Sequence, residues 1–219
     1  MSNLDTILAE LDTVHKELLE NPYWVAAKDG TFTLNHLKGL IKETYFSTLA
    51  IVTNLPMLIV RDFGFDLKTR MKYADYTVEE LPDPGRHFVL AKHIGLSEEE
   101  IMNHNPMAET KAFSAWRVGL YHWGSLIENR AAAMVSEGFN EKMAHLMVKL
   151  LDEKYNIKGE DTGLYALHAV ADKEHSEWAA RDLGELIKSE KELETCLITM
   201  RDFTRISDIR FKSMYEHYA

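Results

Sequence analysis

Apolar residues recur at helical spacing along almost the whole chain, and strict alternation of apolar and polar residues is rare. The first segment is typical, because Leu4, Ile7, Leu8 and Leu11 fall on one face of a helix. Prolines stand where one helical pattern stops and the next begins, since proline removes a helix donor and clashes with the preceding turn. The pattern therefore predicts an all-α protein.

The predicted helices are joined by short connections. The segments GTFT and GLSEEE each combine a helix stop with a Thr or Ser cap for the next helix. No repeat and no change of composition marks a linker, so we expect a single helical domain over residues 1–219. The predicted helices span residues 3–20, 22–28, 33–55, 56–64, 67–81, 84–95, 97–103, 108–136, 139–155, 161–185 and 188–217. We expect the bundle itself to consist of the long helices at 33–55, 108–136, 161–185 and 188–217.

Composition and charge indicate a soluble globular protein. Of 219 residues, 46% are hydrophobic and 27% are charged, and the formal net charge is −10. Because no block of Lys and Arg stands out, we expect neither nucleic acid nor a membrane as a partner. The single Cys196 cannot form an internal disulfide, and the first residues are acidic where a signal peptide is basic. We expect a cytoplasmic protein, and the stretch LAIVTNLPMLIV is too short and too interrupted for a membrane span.

The stretch HAVADKEH carries the strongest chemical signal. His168, Asp172 and His175 stand at offsets 0, 4 and 7, which fall within an arc of about 60° on a helix. The two imidazoles are about 10 Å apart along the axis, a span that suits two metal ions with Asp172 between them. A random chain of this composition would hold the pattern only about 0.03 times. The spacing favours a two-metal site, and the alternative is a solvated polar face.

A two-metal site in a helical bundle draws further ligands from facing helices. In EELPDPGRH, Glu80 closes one predicted helix and His87 opens the next, and Pro82 and Pro84 break the chain between them. A broken helix can aim both side chains at one point, although an exposed interhelical turn would explain the same residues.

Glu128 is a third candidate ligand. It interrupts a run of apolar and small residues, LYHWGSLIENRAAAMV, in the middle of a predicted long helix. A buried, unpaired carboxylate is costly, and Arg130 points elsewhere on the helix. A metal ion is therefore expected beside Glu128, with a Lys or Arg of another helix as the alternative.

Taken together, these residues resemble the haem-oxygenase-like di-iron oxidases and oxygenases. The resemblance runs from NPYW and FTLNHLKGLIKETYF to the HxxxDxxH helix, in the order Glu, His, Glu, HxxxDxxH. It implies a haem-oxygenase-like bundle that binds two iron ions and uses O₂ as a co-substrate. The implied iron ligands are Glu80, His87, Glu128, His168, Asp172 and His175. The interval from Glu128 to His168 is long for this family, so Glu137 or Glu141 could replace Glu128.

The same resemblance implies a small substrate that carries a carboxylate, of the amino-acid or fatty-acid type. Arg130, Arg201 and Arg205 are candidates to bind that carboxylate. An external electron donor is compatible with this chemistry, and we expect a homodimer. Candidate pocket residues, for each of which core packing is the simpler explanation, are Trp24, Tyr45, Phe46, Thr48, Trp123 and Arg130.

Other interpretations stay open at this stage. Thiaminase II and the quinone-cofactor synthase share the implied fold and are metal-free, and thiaminases use a cysteine nucleophile, for which Cys196 is the sole candidate. His15 could be a haem ligand, but the glycine-rich distal helix of haem oxygenases is missing. A non-enzymatic helical interaction protein would leave Glu128 on an apolar face unexplained.

Overall fold

The computed structural model describes the backbone of residues 2–219 and the side chains of residues 2–169 and 175–219. Every regular element in this part of the chain is a helix, which confirms the predicted all-α class. A short 3-10 helix at Gly159–Thr162 precedes the last two α-helices. The α-helices are α1 (Asn3–Leu19), α2 (Pro22–Lys28), α3 (Leu34–Asn54), α4 (Met57–Val60), α5 (Leu67–Glu80), α6 (Asp83–His93), α7 (Glu98–Met102), α8 (Ala108–Trp123), α9 (Leu126–Tyr155), α10 (Leu164–Leu186) and α11 (Glu190–His217).

The helix predicted at 108–136 is wrong, because the chain breaks between α8 and α9 at Gly124 and Ser125. Ser125 forms a capping box with Glu128: the Glu128 N–H donates to the Ser125 hydroxyl at 3.2 Å. In return the Ser125 N–H donates to the Glu128 carboxylate at 2.6 Å. Two backbone donors at the start of α9 are thereby satisfied, so this local pattern fixes the helix start.

The break predicted near residue 138 is also wrong, since α9 continues for 30 residues to Tyr155. Gly138 lies where α9 meets α1 and α10. A Cβ at this position would come within 2.6 Å of His15 Cε1 and 3.0 Å of Ser176 Oγ. The glycine therefore allows close helix packing and does not end the helix. As a result, the neighbouring Glu137 lies in the middle of a long, buried helix.

Helix α9 is central to the bundle. It packs along α10 and also contacts α11, α1 and α2, while α3 packs against α8 and α6. The core is rich in aromatic rings at the α2, α9 and α11 contact. Trp24 is 1% exposed there, and its ring centroid lies 5.7 Å from that of Phe139 and 4.9 Å from that of Phe211. Trp24 is thus part of the core, at a distance in the fold from α5 and α6.

Residues Leu34–Val60 form the one stretch of the described chain that is long and apolar enough to cross a membrane by length and composition. In the fold this stretch comprises two helices, α3 and α4. Helix α3 contacts α6, α7, α8 and α11, and it carries the fully buried Glu43. These contacts are those of a helix inside a globular bundle.

Candidate functional site

An interior cavity of about 120 Å³ lies between α3, α5, α6, α8, α9 and α10. Its α3 side is mostly apolar, with Ile51, Val52 and the adjoining Leu55. Its other surfaces carry a concentration of titratable groups from five helices. These groups are Glu80, Asp83, His87, Arg117, Tyr121, Glu137 and His168.

The junction of α5 and α6 supplies three of these side chains. Glu80 is the last residue of α5, Pro82 and Pro84 break the chain, and α6 begins at Asp83. Because α6 starts so soon after the break, its first turns bring His87 to the same cavity as Glu80. The sequence predicts that these two side chains can lie close together, and both line this cavity.

Helix α10 brings both histidines of HAVADKEH to this cluster. His168 Nε2 lies 3.4 Å from an oxygen of Asp83. His175 Nδ1 lies 3.6 Å from Glu80 Oε1 and 3.9 Å from Glu137 Oε2. The Asp172 side chain lies outside the described residues, so its predicted role stays a prediction.

Two carboxylates outside the predicted ligand set orient the imidazoles. Asp83 is buried, accepts a hydrogen bond from Arg86 and faces His168. On the other side of the cluster, Glu79 lies 3.4 Å from His175 Nε2 and is itself largely exposed. A carboxylate beside the second nitrogen of an imidazole is a common means of fixing the ring in a metal site.

The acidic side chains of the cluster lie close together in a buried part of the fold. Burial, together with the charges of Glu137 and Asp83, raises the pKa of Glu80 to about 9. Burial would also raise the pKa of Glu137, but nearby His175 and the Tyr76 hydroxyl, which donates at 2.8 Å, lower it. A bound cation would favour the ionised form of Glu80 and so lower this pKa.

His87 is suited to act as a neutral ligand. Burial lowers its pKa to about 4, so its imidazole is uncharged at neutral pH and a ring nitrogen keeps its lone pair. The Thr48 hydroxyl lies 3.3 Å from His87 Nε2, and the Tyr45 ring packs edge-on against it at 6.2 Å.

The prediction of Glu128 as a ligand is corrected by the capping box described above. The Glu128 carboxylate is bonded to the start of its own helix. Glu137 follows nine residues later, or two and a half turns, so it lies on the opposite face of α9 and about 13 Å further along the axis. Glu137, the named substitute, lies in the cluster. Glu141 is half-buried and is not among the residues that line the cavity.

The residue types in the cluster are those that bind metal ions, but their donor atoms lie further apart than the ligands of one ion. Among the residues whose side chains are described, no three His, Cys, Asp or Glu side chains already form a metal-binding group. Among the candidate ligands, His175 Nδ1 lies 3.6 Å from an oxygen of Glu80 and 3.9 Å from an oxygen of Glu137. Two ligands of one ion at about 2.1 Å are roughly 3.0 to 3.4 Å apart, so an adjustment of about 0.5 Å would suffice. Imidazole and carboxylate are the donors that non-haem iron prefers.

Of the predicted pocket residues, Thr48 lines the cavity, and the others do not. Trp24 belongs to the core, Trp123 is 81% exposed at the end of α8, and Tyr45 and Phe46 are half-buried beside the cavity lining. Arg130 lies 3.1 Å from Asp182 and stacks on the Trp178 ring, so its charge is balanced within the protein. Periodicity identified these residues as inward-facing or aromatic, but could not assign them to one cavity among several packed surfaces.

The other candidates from the sequence also have structural explanations. Arg201 pairs with Glu10 at the surface, and Arg205 borders a shallow surface groove. His15 bonds to the Val135 carbonyl at 3.0 Å, and burial lowers its pKa to about 4. Cys196 is fully buried in α11, where burial raises the pKa of its thiol to about 12. None of these four described side chains is among those that line the cavity.

Sequence reasoning missed Asp83, Tyr76 and Arg117. Asp83 had a usable signal, because it stands three residues after Glu80 and four before His87 and so shares their face of the broken helix. Tyr76 and Arg117 lie in ordinary helical patterns with no local sign of their role.

Comparison of the sequence with models of protein families finds no match, and comparison with curated proteins finds none either. The structure is similar to solved structures along nearly its full length. A domain of unknown function with a haem-oxygenase-like fold from Shewanella denitrificans OS217 has a TM-score of 0.86 at 15% identity, over 98% of this chain and 93% of that chain.

Two further structures show the same similarity. A TenA homologue from P. horikoshii OT3 has a TM-score of 0.80 at 11% identity, over 99% of both chains. A CADD-like protein of unknown function from Nostoc punctiforme PCC 73102 has a TM-score of 0.73 at 13% identity, over 98% of both chains. The chain therefore has the haem-oxygenase-like helical fold. At these identities the similarity shows the fold alone.

Proposed function

We propose that this protein is an O₂-dependent non-haem di-iron oxidase or oxygenase whose two iron ions bind at the α5–α6, α9 and α10 cluster. One observation carries the proposal: buried imidazoles and carboxylates from separate helices converge on one interior cavity. A cation bound at such a place would favour the ionised form of Glu80, whose pKa is raised by burial and by the neighbouring carboxylates.

The proposed iron ligands come from four helices. Helix α5 supplies Glu80, α6 supplies His87, α9 supplies Glu137, and α10 supplies His168 and His175. Asp172 joins this set on its sequence spacing alone. Asp83 and Glu79 act as positioning residues, because each carboxylate faces a ring nitrogen of a ligand histidine.

Two iron ions held by these residues would supply the reduction of O₂ and the oxidation of a bound substrate. The chain itself positions the substrate and excludes water. Ile51, Val52 and Leu55 give the cavity an apolar side, while the Tyr76 hydroxyl holds Glu137 by a hydrogen bond of 2.8 Å. The expected homodimer and external electron donor stay predictions.

A second candidate is a metal-free bundle enzyme of the TenA type, which the similarity to a TenA homologue favours. The cavity would then use Glu80 and Glu137 as an acid and base pair. Cysteine chemistry is a poor fit, because the thiol of Cys196 is buried in α11 and does not border the cavity. The two candidates differ in whether function requires His168 and His175 to bind a metal.

Iron counting in solution separates them. The chelated protein is loaded anaerobically with Fe(II), freed of excess iron, and analysed for bound iron and for O₂ uptake. We expect about two irons per chain and O₂ uptake that depends on them. His168→Ala should lose at least half of the bound iron and nearly all of the O₂ uptake, because it removes a ligand from a shared site.

The matched control is His145→Ala, which removes an exposed imidazole from α9. It should bind iron like the parent protein. Iron binding that is equal in the parent, His168→Ala and His145→Ala would refute the di-iron proposal and leave the metal-free enzyme as the better candidate.

A further inference from the structure

Arg117 is a buried charged side chain on the cavity surface. It is 3% exposed and belongs to α8, one helical turn before Tyr121. Its Nη2 donates to the Tyr121 hydroxyl at 3.0 Å, and its guanidinium lies 5.1 Å from the centre of the Tyr121 ring. Nε and Nη1 have no hydrogen-bond partner among the described residues. The guanidinium is therefore held through Nη2, and a second N–H of Nη2 lies parallel to that of Nε or Nη1, neither of which has a partner in the described part of the chain.

Arg117 differs from two arginines that face a carboxylate, and it differs from the buried Arg210, which also has nitrogens without a partner among the described residues, in that Arg117 borders the cavity. Arg130, also buried, lies 3.1 Å from the Asp182 carboxylate, and the surface residue Arg201 binds Glu10. No described carboxylate lies within 4 Å of the Arg117 guanidinium. A buried cation without an anion is unfavourable, so such a residue at a cavity points to an anion that comes from outside.

The shape and lining of the cavity indicate which kind of anion would fit. A planar guanidinium offers parallel donors that match the two oxygens of a carboxylate. The α3 side, with Ile51, Val52 and Leu55, would contact an apolar body. The volume of about 120 Å³ is below the roughly 300 to 1,000 Å³ of sites for drug-sized ligands. A short carboxylic acid or an amino acid fits these features better than a long-chain fatty acid.

We infer that Arg117, held in place by Tyr121, binds the carboxylate of a small organic acid in this cavity. The inference extends the proposed function, on which it relies for the statement that this acid is the oxidised substrate. In that case the carboxylate is anchored on α8, and the rest of the molecule reaches the space beside Glu80, Glu137 and His168. Arg117 is then a substrate-binding residue that fixes which carbon faces the iron ions.

The inference is tested by the binding of butyrate and of butyramide, which has nearly the same shape without the charge. Dissociation constants are measured by ligand-observed NMR on the full chain, once after removal of metal by a chelator and once after loading with Fe(II) under anaerobic conditions. We expect butyrate to bind at least 10-fold more tightly than butyramide. Arg117→Met should weaken butyrate binding by roughly 10- to 100-fold and leave butyramide binding nearly unchanged.

Arg205→Met is the matched control, because it removes the same charge from a surface groove. It should bind butyrate like the parent protein. Arg117→Lys keeps the charge without the planar fork, so it should show an intermediate loss of butyrate affinity. It also tests the role of Arg117 if Arg117→Met does not fold. Butyrate binding that is equal in the parent, Arg117→Lys and Arg117→Met overturns the inference.

The two proposals can fail separately. Carboxylate binding to the chelated protein depends on Arg117 and not on iron, so it would persist if the protein bound no iron. Conversely, a protein that binds two irons but shows no preference for butyrate over butyramide in either state would keep the di-iron proposal and refute this role of Arg117. Octanoate that binds more tightly than butyrate would refute the expected size of the acid.

Discussion

Glu137→Ala is expected to weaken iron binding by at least about 100-fold, whereas Glu128→Ala should leave it unchanged. Glu137 lies within 3.9 Å of His175 in the buried cluster, while the Glu128 carboxylate is bonded to the Ser125 N–H at 2.6 Å. The two residues are on one helix, so the pair compares the same substitution at two faces of α9. Iron affinity is measured by anaerobic titration with a competing chelator.

The stability of the metal-free protein tests the capping role of Glu128. Glu128→Ala removes half of a capping box and should lower the free energy of unfolding of the metal-free protein by about 0.5 to 2 kcal/mol. Glu137→Ala removes a carboxylate that raises the pKa of Glu80, but it also leaves the buried Tyr76 hydroxyl without the acceptor that it has at 2.8 Å, so we expect it to lower the stability as well. Loss of iron binding in Glu128→Ala together with normal binding in Glu137→Ala would contradict the assignment of Glu137.

The second large effect is expected for Glu43→Gln. Glu43 is fully buried in α3 and accepts hydrogen bonds from the Tyr218 hydroxyl at 2.8 Å and from the Met107 N–H at 3.2 Å. His104 Nε2 lies 2.7 Å from the same carboxylate. The amide carries no charge and can accept at one atom only, so we expect a loss of about 3 kcal/mol in the free energy of unfolding. For a chain of this size, that corresponds to roughly 6 to 12 °C in Tm.

The effect of Glu43→Gln should depend on pH. Burial alone would raise the pKa of Glu43, but hydrogen bonds from its neighbours, His104 and Tyr218 among them, outweigh burial and lower it below 4.5. A carboxyl with a lowered pKa in the folded state stabilises the protein above its unfolded value, and this contribution disappears as the pH falls through the folded pKa. The stability difference between the parent and Glu43→Gln should therefore be largest at neutral pH and narrow below pH 4.5.

Urea denaturation in the presence of a chelator measures this difference without a contribution from bound metal. Glu10→Gln is the control, because Glu10 pairs with Arg201 at the surface, where an ion pair contributes at most about 1 kcal/mol. A difference for Glu43→Gln that stays below 1 kcal/mol at pH 7, or that widens in acid, would show that Glu43 does not stabilise the bundle in this way.

The helical class and part of the cluster were predictable because they depend on local patterns. The 3.6-residue periodicity placed nearly every helix, and the same periodicity put His168 and His175 on one face of α10. Proline positions marked the α5–α6 junction, where Glu80 and His87 meet at one cavity. These features require only the geometry of one helix or of one break.

The expectation that Glu128 is a buried, unpaired carboxylate was wrong for a reason that the sequence could have revealed. Ser125 and Glu128 form the S-x-x-E pattern of a capping box directly after Gly124, which predicts a helix start at that point. With the break placed there, α9 continues past Gly138, and Glu137 becomes the carboxylate in the middle of a buried helix. The misplaced helix boundary therefore favoured Glu128 as the predicted ligand over Glu137, nine residues later.

The role of Arg117 could not have been predicted in this way. Arg117 and Arg130 both occur among apolar residues in long helices, so periodicity treats them alike. The difference between them arises from tertiary packing, since Asp182 comes within 3.1 Å of Arg130 and no described carboxylate comes within 4 Å of Arg117. A single sequence does not contain the distances between helices that decide which arginine faces a cavity.

Anomalous diffraction at the iron absorption edge, from crystals grown anaerobically with Fe(II), tests the central claim most directly. The di-iron proposal predicts two peaks per chain in the cavity between α5, α6, α9 and α10, with nitrogen or oxygen atoms of Glu80, His87, Glu137, His168 and His175 at about 2.0 to 2.3 Å. Two peaks at that place would establish the metal centre and its ligands together. A cavity without an iron peak in crystals of protein supplied with excess Fe(II), or iron bound only at surface histidines, would contradict the proposal.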